Sequence, residues 1–178
     1  MRNATSQLVK TAILIALLLV CQYVGFFGGV KPVIVNFILA FSAFYLELKY
    51  SIFVAALSPI LAFFLGFGGL PLGLNMLFPL IPAIMIANAV LVVSCSMFYH
   101  KSEKLVMRLV GCTIGSFFKF IVLWISVAVL LPYFVALPHE KLSKIIMLFS
   151  FPQFVFAIIG SVFALLLIVF YPHITKNA

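Results

Sequence analysis

Apolar stretches with short polar or helix-breaking interruptions run the length of the chain. The first covers residues 8–27 and stops at Gly28, Gly29, Lys31 and Pro32. The second, 33–48, is short and closes on Glu47 and Lys49. The third, 51–70, carries Pro59 and ends among Gly68, Gly69 and Pro71. The fourth, 75–98, has Pro79 and Pro82 near its start and stops before His100 and Lys101. The fifth, 106–131, follows Glu103 and Lys104 and ends before Pro132. The sixth, 145–170, follows Pro138, His139, Glu140 and Lys141 and ends before Pro172. A membrane-crossing helix needs about 20 apolar residues, so the pattern predicts six transmembrane helices. The turn between the second and third is only a few residues.

These stretches are apolar on every face. Hydrocarbon cannot satisfy backbone polar groups, so a spanning segment is either a helix or part of a closed barrel. Barrel strands alternate polar and apolar residues, and that alternation is missing. The expected fold class is therefore an all-α integral membrane protein, a single compact bundle filling one membrane domain with no soluble domain or linker. Composition agrees: 66% of the 178 residues are hydrophobic and 8% charged, against about 45–50% and 25% in soluble domains. Arg2 and Lys10 precede the first stretch as in a leader peptide. Without a small-residue cleavage site it reads as a retained first helix.

The net charge of +8 comes from basic residues at the ends of the apolar runs, not from one basic face as in a nucleic-acid binder. With the N-terminus inside, Arg2, Lys10, Lys49, Lys101, Lys104, Arg108 and Lys176 fall on the cytoplasmic side. Lys31, Lys141 and Lys144 fall outside. The positive-inside rule thus favours both termini in the cytoplasm. Cys21, Cys95 and Cys112 lie within apolar runs and read as small hydrophobes, with no disulfide or metal pattern.

Lys119 departs from this placement. It lies in the middle of the fifth span, where a lysine costs about 2.5–3.5 kcal/mol on insertion scales. The acids Glu47, Glu103 and Glu140 all sit near span ends or loops, so no internal counter-ion is offered. Two readings stay open: contact with a bound anionic ligand, or a structural lysine that is neutralised by burial or hydrogen-bonded to a carbonyl of a broken helix. Counting about 1.5 Å per residue, Gln22, Asn36, Asn88 and Lys119 reach similar depth, with Gln153 and Asn75 nearer the outer surface. Amides in lipid also serve as inter-helix glue. As a set, with Pro79, Pro82, Pro152 and the glycines 66, 68, 69 and 73 on the outer side, they suggest an outward cavity. Phe26, Phe27, Trp124 and Tyr133 are candidates to stack on a flat ligand. Gln153, Ala157, Gly160 and Ala164 share one helix face, which either packs on another helix or borders the cavity.

Several chemistries lack their residues. All three acids are glutamates, so aspartate-dependent membrane proteases and phosphotransferases are excluded. The histidines have no metal-binding spacing, and there is no nucleophile elbow and no phosphate loop. The expectation is a non-catalytic protein with no cofactor and no metal. No central acid is present to relay protons and no internal repeat is visible, so uphill transport would need energy from another subunit.

The cytoplasmic half of the first span reads Ala12-Ile13-Leu14-Ile15-Ala16. Small residues four apart let a partner helix approach closely. With the size, span number, orientation and missing energy machinery, this resembles the substrate-binding S-components of energy-coupling factor (ECF) transporters. The resemblance implies capture of a vitamin-like solute in an outward cavity. It also implies docking through Ala12 and Ala16 on a module of one coupling membrane protein and two ABC-type ATPases in a prokaryotic plasma membrane. Competing readings are a multispan scaffold of the cell-envelope machinery and a small transporter working alone. The first does not need a mid-membrane lysine among amides, and the second wants a repeat or a coupling acid.

Overall fold

The computed structural model describes residues 4–23, 30–65, 78–134 and 138–171. These residues are helical almost throughout, and no strand occurs among them. The helices are α1 (Ala4–Tyr23), α2 (Val30–Tyr45), α3 (Leu48–Phe64), α4 (Ile81–Lys101), α5 (Leu105–Ile125), α6 (His139–Leu148) and α7 (Phe151–Phe170). A 3₁₀ turn, Phe78–Leu80, leads into α4, and α5 continues through Ser126–Leu130 and Leu131–Phe134. Four segments are long and apolar enough to cross a membrane: Ala4–Tyr23, Phe78–Lys101, Leu105–Phe134 and Leu142–Phe170. Val30–Tyr45 and Leu48–Phe64 are apolar but shorter.

Proline position explains the helix starts. Pro32 lies in the first turn of α2, Pro82 in that of α4 and Pro152 in that of α7. There the missing N–H has no intrahelical partner to lose. Pro152 also accounts for a difference from the expected sixth span. The segment 145–170 is not one helix: α6 ends at Leu148, and α7 begins afresh at Phe151.

The fifth span differs in the other direction. Pro132, read as a stop, is carried inside a helix that runs to Phe134. The turn before it is widened to π-helical geometry over Ser126–Leu130, which gives the ring room where a tight α turn would clash with the carbonyl four residues back. The Ser126 hydroxyl donates to the Val122 carbonyl at 2.6 Å at the same place.

The central element is α2, which packs on α7, α4, α1 and α3. By contrast, α1 rests mainly on α3 and α2 among the described elements. Its buried positions are Gln7, Thr11, Leu14, Leu18 and Gln22, a single stripe at helical spacing. Leu8, Val9, Ile13, Val20 and Tyr23 are exposed, as an apolar solvent requires. Ala12 and Ala16 are exposed on the same helix.

Glycines set the two closest helix seams. A Cβ on Gly160 of α7 would lie 2.5 Å from the Val33 carbonyl oxygen and 2.8 Å from Asn36 Cβ on α2. A Cβ on Gly115 of α5 would lie 2.9 Å from Ser94 Cβ and 3.1 Å from the Leu91 carbonyl oxygen on α4. Without van der Waals room for a side chain, backbones meet directly, as is common between membrane helices. The stripe Ala157, Gly160 and Ala164 is fully buried, and Gly160 sets it on α2.

The end of the bundle at the α2–α3 turn is pinned by polar groups. The Glu47 N–H donates to Gln7 Oε1 at 3.1 Å, and the Ser51 hydroxyl donates to the Ser42 carbonyl at 2.7 Å. Lys10 lies over the Tyr45 ring and Arg108 over the Tyr99 ring, at 4.9 and 4.2 Å from the centroids. Such contacts let cationic side chains end an apolar bundle without carboxylate partners.

Candidate functional site

At the opposite end, between α1, α2, α3, α4, α5 and α7, lies a cavity of about 180 Å³. Its polar lining is Gln22, Lys31, Asn36, Ser58, Asn88, Lys119 and Gln153. Its apolar lining is Pro32, Val35, Pro59, Ala62, Ile84, Leu123 and Phe149. Five sequence-predicted residues, Gln22, Asn36, Asn88, Lys119 and Gln153, therefore share one wall system although they come from five helices. Asn75, Phe26 and Phe27 lie outside the described residues.

Lys119 is the centre of the arrangement. It is 4% exposed. Its Nζ donates to Asn36 Oδ1 at 2.5 Å and to Asn88 Oδ1 at 2.7 Å. Each asparagine in turn uses its Nδ2 on a backbone carbonyl: Asn36 on Pro32 at 2.9 Å and Asn88 on Ala55 at 3.4 Å. The second of these bonds has a local cause. Pro59 cannot donate the N–H that would close the helical bond to Ala55, so α3 leaves that carbonyl open to Asn88. A helix breaker in one element thus orients the amide of another.

Both amide oxygens therefore face the ammonium. Neutral dipoles solvate the charge but do not cancel it, and no acidic side chain lines the cavity. Among the described residues the one ion pair joins Lys49 to Glu47 at 3.3 Å, at the other end of the bundle. A buried ammonium wants a partner charge, and its third N–H has no protein acceptor among the described residues.

Lys31 was read from sequence as an outer topology charge. In the structure its Nζ donates to the Gln22 carbonyl at 2.8 Å and lines the cavity. There it satisfies an end carbonyl of α1, where a cation is favoured. In the sequence Lys31 and Pro32 mark the break after the first stretch, and nothing in the pattern turns the Lys31 side chain inward. Gln22 donates its Nε2 to the Ser58 carbonyl at 3.1 Å, while its buried Oε1 has no partner among the described residues. Trp124 and Tyr133, suggested as stacking groups, do not line the cavity and are exposed. Phe149 is the aromatic residue that does line it.

No group of three or more histidine, cysteine or acidic residues is placed to hold a metal ion among the described residues. The arrangement offers donors and a buried ammonium to a small solute, with an aliphatic wall around them. A cavity with an apolar wall and a few convergent polar groups is the general form of a small-molecule site.

Comparison with curated proteins and with solved structures gives no match. Residues 6–171 match the family model described as the ECF transporter substrate-specific component. That match spans nearly the whole chain, cavity and outer helices together, and the chain therefore belongs to the family of ECF transporter substrate-specific components.

Proposed function

We propose that this S-component captures a small vitamin-like or cofactor-precursor solute in the cavity around Lys119 and delivers it to an ATP-driven module for uptake. The observation that carries the reading is the convergence of Lys119 with Asn36 and Asn88 on one cavity that also includes Gln22 and Gln153. An uncompensated buried ammonium is costly in any membrane protein. A solute bearing a carboxylate or phosphate would supply the missing charge.

The chain would take no catalytic part. ATP hydrolysis is assigned to two ABC-type ATPases, with a coupling membrane subunit between them and this chain. Six crossings with both termini in the cytoplasm put the cavity on the outer side of the plasma membrane. The basic end with Lys10, Lys49, Lys101 and Arg108 is then on the inner side. Ala12 and Ala16 lie on the exposed face of α1, which has few neighbours within the chain. Their small side chains suit close approach by a helix of the coupling subunit.

Purification of the tagged chain from its native membrane in mild detergent tests this reading. Two ABC-type ATPases and one larger membrane protein should co-purify, and denaturation should release a small solute. Cell-envelope assembly proteins in their place, with no ATPase, would refute it.

A further inference from the structure

The polar groups of the cavity are not equally free. Asn36 and Asn88 are committed at both ends, to Lys119 and to backbone carbonyls. The Ser58 hydroxyl and the Gln153 amide can each donate or accept. Two groups have a fixed demand. As an ammonium, Lys119 has a third N–H to give and no lone pair. Gln22 has a lone pair to fill, because its Nε2 is held by the Ser58 carbonyl and this fixes which end of the amide is free. Gln22 is 3% exposed, and its Oε1 is buried with no donor among the described residues. Native proteins rarely leave such an acceptor empty.

We propose that the solute is a small anion, a carboxylate or a phosphate, that also carries an N–H or O–H donor, read at two points. Lys119, with Lys31 in the same lining, reads the anionic group. Gln22 Oε1 reads the donor. The inference rests on the cavity being the solute site and adds what the solute must look like. A cationic solute would meet two ammonium groups and no acid. A site built to hydrogen-bond a group rejects the analogue lacking it far more strongly than a hydrophobic pocket rejects a methylene, so Gln22 discriminates by chemistry.

The test uses the full chain in lipid nanodiscs and N-acetyl-β-alanine as probe, which has one carboxylate, one amide N–H and an aliphatic frame. Its methyl ester lacks the charge, its N-methyl amide lacks the donor, and choline reverses the charge. The expected result is binding of the probe, with ester and N-methyl amide each at least about ten-fold weaker and choline not bound. Lys119→Met should erase the preference for acid over ester. Gln22→Met should erase the preference for N–H over N-methyl while keeping that for acid over ester. If either variant fails to fold, the discrimination shown by the wild-type chain decides alone. Equal binding of acid and ester, equal binding of N–H and N-methyl probes, or recovery of a cation or a donor-free solute from the native protein would overturn the inference and leave solute capture standing. A chain that releases no solute and binds no probe would remove the capture role itself.

Discussion

Substituting alanine for Gly160 should move two helices apart at the point where one carries Asn36. The added Cβ would sit 2.5 Å from the Val33 carbonyl oxygen, 2.7 Å from the Phe37 nitrogen and 2.8 Å from Asn36 Cβ. Two of these are backbone atoms and the third is fixed to backbone, so no rotamer change relieves them. Ordinary contact begins at 3.4 Å, so α2 must withdraw by up to about 0.9 Å. If it withdraws as a rigid body along the Lys119–Asn36 direction, that bond lengthens from 2.5 Å to at most about 3.4 Å, beyond the usual limit of about 3.2 Å. Overpacking of this kind costs about 1–3 kcal/mol of stability. A hydrogen bond to a charged group is worth about 1.5–3 kcal/mol, which converts to roughly ten- to hundred-fold in affinity if half of the ammonium's support is lost. The assay is Tm of the detergent-solubilised chain beside Kd for the solute that co-purifies with it. A lower Tm with a Kd raised ten-fold or more is expected. An unchanged Kd would show that Asn36 need not hold its place against Lys119, and the reasoning would fail.

Other substitutions separate stability, binding and docking. Gly111→Ala, whose Cβ would collide with the Phe98 side chain two turns from Lys119, should lower Tm while leaving Kd within about three-fold, as expected for independent sites. A comparable loss of affinity would mean that the seam between α4 and α5 acts on the site as a unit. Lys119→Met should weaken binding of the native solute by well over ten-fold, with the helical circular-dichroism signal and the Tm retained. An unchanged Kd would make Lys119 structural. Ala12→Trp and Ala16→Trp should abolish uptake and co-purification of the coupling subunit while the solute is still bound. Normal uptake in both would rule out this docking face.

The depth of the polar residues was legible because helix rise is nearly constant. Counting along four spans put Gln22, Asn36, Asn88 and Lys119 at one level, and they line one cavity. Their pairing was not legible. Which amide meets the lysine depends on helix rotation and on seams such as Gly160 against Val33, and these arise between distant segments. Of the aromatic candidates in the described residues, Trp124 and Tyr133 do not line the cavity, for a reason visible in the structure. The buried face of α5 includes Gly115, Ser116, Lys119 and Leu123, so Trp124, five residues from Lys119, points off that face. Pro132 misled because a proline usually closes a helix, whereas the widened turn before it absorbs the ring. Pro59 was noted as a breaker, yet its effect on Asn88 required knowing that α3 lies against α4.

The unequal helix lengths bear on how the protein sits in lipid. At about 1.5 Å per residue, α2 with 16 residues and α3 with 17 measure about 24 and 26 Å. The continuous helix from Leu105 to Phe134, with 30 residues, measures about 45 Å by the same count. A hydrocarbon core is about 30 Å thick. Since α3 exposes Phe53 and Phe64, lipid would meet a wall too short on that flank and too long on the α5 flank. Thinning on one side and tilt on the other each cost fractions of a kcal/mol per ångström of mismatch. No upright pose would match both flanks, so the bilayer itself would favour an inclined one.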